Sequence, residues 1–155
     1  MKRTTIATLL LAAALIPIAA RADTSLTGYG TYWEADSTGK GLGVRLKKTF
    51  LGFGAVEGRG GYVSFDDIDT ELIPLDVSIN LRLPFMISPY AGVGAAYYLT
   101  SSDLPGLDNT SGYFGQIGVE ATFVWIGAMA EVRFHDLEGS YFDGNSYNLG
   151  VLIKW

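Results

Sequence analysis

The chain ends in NSYNLGVLIKW, residues 145–155, in which large apolar side chains alternate with small or mostly polar ones. A period of two is the pattern of a β-strand whose two faces differ. The apolar positions are Tyr147, Leu149, Val151, Ile153 and Trp155. Chain termini usually fray unless something holds them, yet this strand carries its largest apolar side chain on its last residue. The pattern therefore predicts a terminal strand that is paired to its end and has a defined apolar environment on one face.

The first residues indicate export. Lys2 and Arg3 precede an apolar run from Ile6 to Ile18, and Ala20-Arg21-Ala22 has the small-residue pattern of a cleavage site. We therefore predict a secretory signal peptide over residues 1–22. A transmembrane anchor is the alternative, but the apolar run is shorter than a full span and a cleavage site follows it directly.

Removal of residues 1–22 would leave residues 23–155, which is enough for one domain. The full chain has a net charge of −5, and the predicted signal peptide carries three positive charges, so the mature chain is near −8. Such an acidic chain is a poor candidate for nucleic-acid binding, which needs clustered Lys and Arg. The sequence has no cysteine, which excludes disulfides, thiol chemistry and a lipid-modified cysteine at the new N-terminus.

The mature sequence divides into eight alternating segments, so we predict eight β-strands. Besides the C-terminal segment, alternation is clear at residues 42–47, 72–83, 91–99, 116–123 and 126–135, and weaker at 25–35 and 53–65. No segment after the signal peptide is apolar for the roughly 18 residues that a membrane-spanning helix needs. The predicted fold class is therefore all-β, with an antiparallel up-and-down order of strands.

The connections between these segments are of two kinds that alternate along the chain. Four are polar and rich in Asp, Ser and Gly: Asp36–Lys40, Asp66–Thr70, Ser101–Thr110 and Leu137–Gly144. Three are short and carry aromatic or apolar residues: Thr49–Gly52, Pro84–Ser88 and Phe123–Trp125. An up-and-down barrel with an even number of strands places each kind at one end. We call these the loop end and the turn end.

Two architectures fit this pattern, and they differ in which face is inside. A soluble barrel or sandwich would bury the apolar face, and aromatic residues near strand ends also occur in sandwiches. However, the interior of an eight-stranded barrel is only wide enough for side chains to fill it. The small and polar residues of the other face suit that space, whereas the Leu, Ile, Phe and Trp side chains would overfill it. We therefore expect the apolar face to point outward, toward lipid.

The positions of the aromatic residues support a transmembrane β-barrel. Two aromatic girdles around an aliphatic band are typical of outer-membrane barrels. One predicted girdle lies near the loop end, at Trp33, Tyr62, Tyr97, Tyr113, Phe134 and Tyr147. The other lies near the turn end, at Phe50, Phe85, Phe123, Trp125 and Trp155.

The inward face is then expected to collect most of the charged residues of the strands. They are Glu34, Arg45, Lys47, Glu57, Arg59, Asp76, Arg82, Glu120, Glu131, Arg133, His135 and Lys154. Charges in a narrow lumen are costly unless they are paired, so we predict interlocking ion pairs that plug the barrel. The alternative is a narrow ion or proton path, because ionisable groups within a membrane can mark pathways.

Several segments resemble the small eight-stranded outer-membrane barrels of the OmpA/OmpX-like superfamily. They are SPYAGVGAAYY (88–98), GQIGVEATFVW (115–125) and the terminal YNLGVLIKW (147–155). The terminal pattern is similar to the signal that such proteins present to the barrel-assembly machinery. The resemblance covers nearly all of residues 23–155. It implies a monomer in the outer membrane with periplasmic termini, surrounded by lipids and lipopolysaccharide and without a cofactor.

Family members include passive structural barrels, adhesins and a few lipid-modifying enzymes, so the resemblance leaves the role open. Some are lipid A deacylases with a His-x-Ser element, but here Leu137 fills the serine position after His135, and Ser140 lies farther on. A lipid esterase needs its nucleophile and base together at the lipid-facing surface, whereas His135 is expected to point inward. We expect a structural or surface-interaction role, with lipid A hydrolysis and a narrow channel as alternatives.

The polar connections are acidic, and DDIDTE (66–71) faintly resembles a calcium site because hard cations bind carboxylate oxygens. The segment lacks the glycine and the ligand spacing of a known calcium loop. We therefore expect solvated charge at these loops and predict no metal site.

Overall fold

The computed structural model describes residues 23–65, 70–101, 109–137 and 142–155, and these form eight β-strands. The strands are β1 (Thr24–Glu34), β2 (Thr38–Phe50), β3 (Gly54–Phe65), β4 (Thr70–Arg82), β5 (Ile87–Ser101), β6 (Thr110–Phe123), β7 (Ile126–Asp136) and β8 (Gly144–Lys154). None of the described segments is a helix long and apolar enough to cross a membrane. The predicted signal peptide, residues 1–22, lies outside the described residues.

Each strand pairs antiparallel with the next one, and β8 pairs with β1, so the sheet is a closed barrel. At the seam, Ser25 lies opposite Lys154 and Glu34 lies opposite Asn145. Beyond the last paired residue, the backbone amide of Trp155 donates to the carbonyl of Thr24 at 2.9 Å, and the amide of Thr24 donates back at 3.0 Å. The terminal residue is therefore held by the seam, as the alternation at residues 145–155 requires.

The two faces of the barrel point in the predicted directions, the apolar face outward and the polar face inward. Large apolar side chains point outward along the strands, including Leu42, Val77, Val93 and Leu149, and are well exposed on the outer surface. The inner face is polar over most of its length, where Arg45 and other charged side chains are buried. The prediction of an eight-stranded antiparallel up-and-down barrel is thus confirmed.

The strands β2 to β6 contain 12–15 residues, which exceeds the roughly 9–11 residues that a tilted strand needs to cross a bilayer, whereas β1, β7 and β8 contain 11. The additional residues extend the sheet at the loop end. Thr38, Gly39 and Lys40, which we expected in a loop, belong to β2. The wall of the barrel therefore continues above its apolar belt before the loops begin.

The first strand differs from the prediction in its orientation. Trp33, which we placed in the outer girdle, points into the lumen and is only 2% exposed, whereas Glu34, predicted to be luminal, is exposed on the outside. The reason is that β1 carries aromatic residues on both faces, with Tyr29 and Trp33 inside and Tyr32 outside. Alternation of apolar and polar residues is too weak there to fix the orientation from sequence alone.

Candidate functional site

The candidate site is the lumen, where buried charged side chains form one connected set. At the turn end, the carboxylate of Glu120 accepts hydrogen bonds from both Arg45 and Lys47. Arg82 lies 3.9 Å from the same carboxylate. One acid therefore meets three bases at this level of the barrel.

The set continues through the middle of the lumen by way of Glu57 and Arg59. Glu57 lies 3.4 Å from the Arg45 guanidinium and accepts a hydrogen bond from Arg59 at 2.7 Å. Arg59 also donates two hydrogen bonds of 2.6 Å to the two oxygens of Glu131. Such bidentate pairing is the strong form of an arginine–carboxylate contact.

The last part of the set lies toward the loop end. Arg133 donates two hydrogen bonds to Asp76, at 2.8 and 2.9 Å, and its Nε lies 3.8 Å from Glu131. The ion pairs thus form an unbroken series from the turn end to the upper part of the barrel. We call this series the luminal charge network; it comprises Arg45, Lys47, Glu57, Arg59, Asp76, Arg82, Glu120, Glu131 and Arg133.

Neutral side chains complete the hydrogen bonding of the acids. Tyr90 donates to Glu131 at 2.7 Å, Asn148 donates to Glu131 at 3.2 Å, and Gln116 donates to Glu57 at 3.2 Å. The Tyr90 ring is accommodated by an inward-facing glycine. A Cβ added at Gly118 would lie 2.5 Å from Cζ of that ring. The lumen is therefore filled by a few large side chains that lie over glycines.

The remaining three predicted luminal residues lie outside this network. Glu34 is on the outer surface. Lys154 is 29% exposed at the turn end, where its Nζ lies 2.8 Å from Asp23. His135 is buried in the lumen, as predicted. However, its ring nitrogens lie within hydrogen-bond distance of Tyr98 and Ser146, and not of Glu131 or Arg133 as we expected.

Above the network, toward the loop end, the lumen is filled with apolar side chains. We did not predict this apolar region from the sequence. We call this buried cluster the aromatic cap; its members are Trp33, Val63, Phe65, Leu72, Ala96, Tyr98, Phe114, Leu137 and Phe142. Phe142 comes from the β7–β8 connection, and its carbonyl accepts a hydrogen bond of 3.2 Å from the Trp33 indole. The cap therefore fastens part of this connection across the mouth of the barrel.

A signal for the cap was present in the sequence. Leu72, Pro74 and Tyr98 fall on the otherwise small or polar face of β4 and β5, near the loop end. Leu72 and Tyr98 are fully buried in the cluster, and Pro74 is buried beside the network. Apolar residues on a polar face near a strand end indicate a change of environment inside the barrel.

His135 lies within the aromatic cap. Its ring stacks on Trp33 at a centroid distance of 4.0 Å. Its Nδ1 is 2.9 Å from the Tyr98 hydroxyl, and its Nε2 is 2.9 Å from the Ser146 hydroxyl. A His–Ser contact therefore exists, but it is enclosed by the barrel wall and by the side chains of the aromatic cap. A lipid in the membrane does not reach it, so this pair does not supply the surface dyad that a lipid esterase requires.

The lumen is closed in its described part. Grooves of about 410–570 Å³ that touch Ala96, Tyr90 or Arg59 open on the outer face, beside exposed residues such as Tyr113, Leu149 and Tyr97. Two cavities among luminal side chains, one beside Lys47 and Arg82 and one beside Tyr29 and Pro74, each measure about 10 Å³. A space of this size holds about one water molecule. Within the described ranges, no group of three or more His, Asp or Glu side chains is placed to hold a metal ion. The arrangement is suited to sealing and stiffening the barrel.

Comparison with solved structures identifies this fold. The outer membrane protein OprG from Pseudomonas aeruginosa superimposes with a TM-score of 0.69 at 14% identity, covering 86% of this chain and 96% of OprG. Neisserial surface protein A gives a TM-score of 0.64 at 15% identity, covering 86% of this chain and 97% of that protein. The attachment invasion locus protein Ail of Yersinia pestis gives 0.60 at 12% identity, covering 87% and 100%.

No protein-family model and no curated protein matches the sequence. At 12–15% identity, the structural likeness shows the fold. This chain therefore has the fold of the small eight-stranded outer-membrane barrels, as the resemblance of its strand sequences implied.

The network predicts strong coupling between Arg59 and Glu131. Replacement of Glu131 by Ala leaves two buried guanidinium groups short of a carboxylate, which should destabilise the barrel by about 3–5 kcal/mol. The double variant Arg59→Met with Glu131→Leu should lose much less, because Arg45 still pairs with Glu57 and Arg133 with Asp76. Urea unfolding in lipid vesicles measures both variants. A loss in the double variant as large as that of Glu131→Ala would contradict this coupling.

The inward position of Trp33 predicts a large effect of its removal. Trp33→Ala should cost about 3–5 kcal/mol because it leaves a cavity in the aromatic cap. Tyr32→Ala is the matched control, since Tyr32 is the neighbouring residue but 43% exposed on the outer face. The same unfolding assay compares the two variants. Equal losses of stability would contradict the inward position of Trp33 and support its earlier assignment to the outer girdle.

Proposed function

We propose that this chain is a monomeric barrel of the outer membrane with a sealed lumen, and that it serves the integrity of the envelope. It does not conduct solutes. Its loop end faces the exterior and offers an acidic surface for modest interactions. Its strands are in contact with outer-membrane lipids, including lipopolysaccharide at the exterior.

The observation that carries this proposal is the continuous luminal charge network beneath the aromatic cap. A solute crossing the lumen would have to separate pairs such as Arg59–Glu131 and Arg133–Asp76, whose members are almost fully buried. Loss of one partner of a buried pair costs about 3–5 kcal/mol. Several such pairs lie one after another along the lumen, with aromatic side chains above them. This arrangement favours a closed lumen over a channel for ions or protons.

The outer surface supports a membrane location. Large apolar side chains are exposed on every strand, and in water such a surface would be an aggregation or interaction site. In a bilayer the closed sheet satisfies its own backbone groups, which is the condition for a strand to cross lipid. The apolar residues of the C-terminal strand, Tyr147, Leu149, Val151, Ile153 and Trp155, all point outward. They are thus accessible to the barrel-assembly machinery before insertion.

The position of the termini supports the proposed orientation. Thr24 and Trp155 pair at the turn end. At the same end, the carbonyl of Asp23 accepts a hydrogen bond of 2.8 Å from the Thr49 amide. Cleavage after Ala22 would therefore leave a single residue before β1. An exported chain that is assembled from the periplasm would keep this end on the periplasmic side and send its loops outward.

The exterior end is acidic in the described residues. Glu34, Asp36, Glu71, Asp136 and Asp143 are exposed there, against one exposed base at Lys40. This balance disfavours nucleic acid and the phosphates of lipopolysaccharide as direct ligands, since phosphate binding needs clustered bases. It favours cationic partners or divalent ions that bridge acids to phosphates.

The sealed lumen predicts the electrical behaviour of the purified protein. Insertion into planar lipid bilayers should give no steady conductance at low voltage, because the charge network and cap leave no continuous water path. A general porin in the same membrane is the positive control. A persistent open level in most insertions would contradict the plug and favour the narrow-channel alternative.

The envelope role predicts a barrier defect when the gene is deleted. Detergent sensitivity of the cells should rise, and expression of the wild-type chain should restore resistance. A variant with Glu34→Gln, Asp36→Asn and Asp143→Asn tests the acidic surface separately, because these residues lie outside the network. Full restoration of detergent resistance by that variant would show that the barrel itself, and not its acidic surface, supports the envelope barrier. Unchanged sensitivity of the deletion strain would refute the envelope role.

A further inference from the structure

The three hairpin turns at the turn end contain no charged, hydroxyl or amide side chain. They comprise residues 51–53, 83–86 and 124–125. Leu51 is partly buried, and the other large apolar side chains are exposed by 49–76%, which is as much as the residues of the lipid-facing belt. We call the exposed set the turn rim; it consists of Phe53, Leu83, Phe85, Met86, Val124 and Trp125.

The backbone of two turns gives an independent sign that apolar residues are needed here. Leu51 has a φ of 56° and Val124 a φ of 57°, both in the left-handed region. This conformation costs an ordinary residue about 1–2 kcal/mol, and a β-branched residue is rarely found there. Asn or Gly would satisfy such tight hairpin turns in water. Leu and Val at these positions therefore favour an apolar surrounding, in which the side chain of Asn would be costly to place.

The turn rim is continuous with the apolar belt of the strands. The strand ends beside the turns also expose large apolar side chains, at Phe50, Leu81, Ile87, Phe123, Ile126 and Trp155. The opposite end of the barrel differs, because the β1–β2 connection contains Asp36 and is followed by the exposed Lys40. The belt thus ends at charged residues at the loop end, whereas at the other end it continues to the turn tips, with the exposed Lys48 between Leu46 and Phe50.

We propose that the turn rim is itself embedded in lipid and docks into the phospholipid leaflet on the turn side of the membrane. The occupant is the acyl-chain and glycerol region of that leaflet, which suits aromatic and aliphatic side chains. The charged residues at this end, Lys48, Lys154 and Asp23, lie on the ends of the strands and not in the turns, and a long lysine side chain there can reach the lipid headgroups. This inference rests on the proposed membrane insertion and extends it from the strands to the turns.

The docking has a consequence for function. With the turn tips within the leaflet, these three hairpins present no surface to the periplasm. Recognition of soluble partners is then left to the loop end. The rim also limits the depth of the barrel, because moving the barrel toward the turn side would carry Val124 and Phe85 through the headgroups into water.

The absence of cysteine allows a direct test, since each introduced cysteine is a unique labelling site. Phe85→Cys and Val124→Cys report on the rim, Val77→Cys reports on the middle of the belt, and Asp36→Cys reports on the loop end. Each variant of the full barrel carries a nitroxide spin label and is reconstituted into vesicles of phosphatidylethanolamine and phosphatidylglycerol. Collision rates with oxygen, which concentrates in lipid, and with a water-soluble nickel chelate are then measured.

The rim labels should collide with oxygen as the Val77→Cys label does, and should lose most of the nickel contact that the Asp36→Cys label shows. Nickel contact at the rim equal to that at Asp36→Cys, with Val77→Cys still in lipid, would overturn the docking and leave the rim open to a periplasmic protein. Nickel contact at Val77→Cys itself would instead refute the membrane barrel of the proposed function. The two failures are therefore distinguishable.

Discussion

A charge inside an eight-stranded barrel has almost no water around it, so each buried acid must be met by bases and hydrogen-bond donors. Arg59 illustrates this constraint, because it joins Glu57 and Glu131 across the lumen with hydrogen bonds of 2.6–2.7 Å. The partners lie on different strands, so each pair also ties the wall of the barrel together. Removal of a single charge is costly, whereas the complete set is neutralised internally. The sealed interior follows from this requirement.

The lumen uses two kinds of filling, arranged along the barrel axis. The charge network occupies the turn end and the middle, and the aromatic cap lies above it at the loop end. Ion pairs fix the positions of long side chains but leave polar groups that attract water. The cap fills the lumen near the loop end with apolar side chains and holds His135 between Trp33, Tyr98 and Ser146. The only histidine is thus part of the packing of the barrel.

The outer surface is asymmetric in a way that matches the interior. Charged side chains are exposed at the loop end, whereas the described turns are apolar to their tips. Leu51 and Val124 accept unfavourable backbone angles in those turns. The residue types of these turns therefore differ from those that turn preference alone would select. The acidic surface lies at the loop end, and the apolar turns lie at the other.

Much of this architecture is determined by the sequence alone. Alternation with a period of two sets the eight strands, because one face of each strand meets lipid and the other meets the lumen. Most of the charge network is predictable for the same reason, since Arg45 and Glu131 lie on the polar faces of strands with clear alternation. Glu57 lies in a segment with weaker alternation, where it shares its face with Arg59. What only the tertiary structure decided is the direction of β1, where Trp33 points inward and Glu34 outward, and the pairing of each acid. Both depend on which side chains of distant strands meet at one level of the lumen, and strand periodicity carries no information about that.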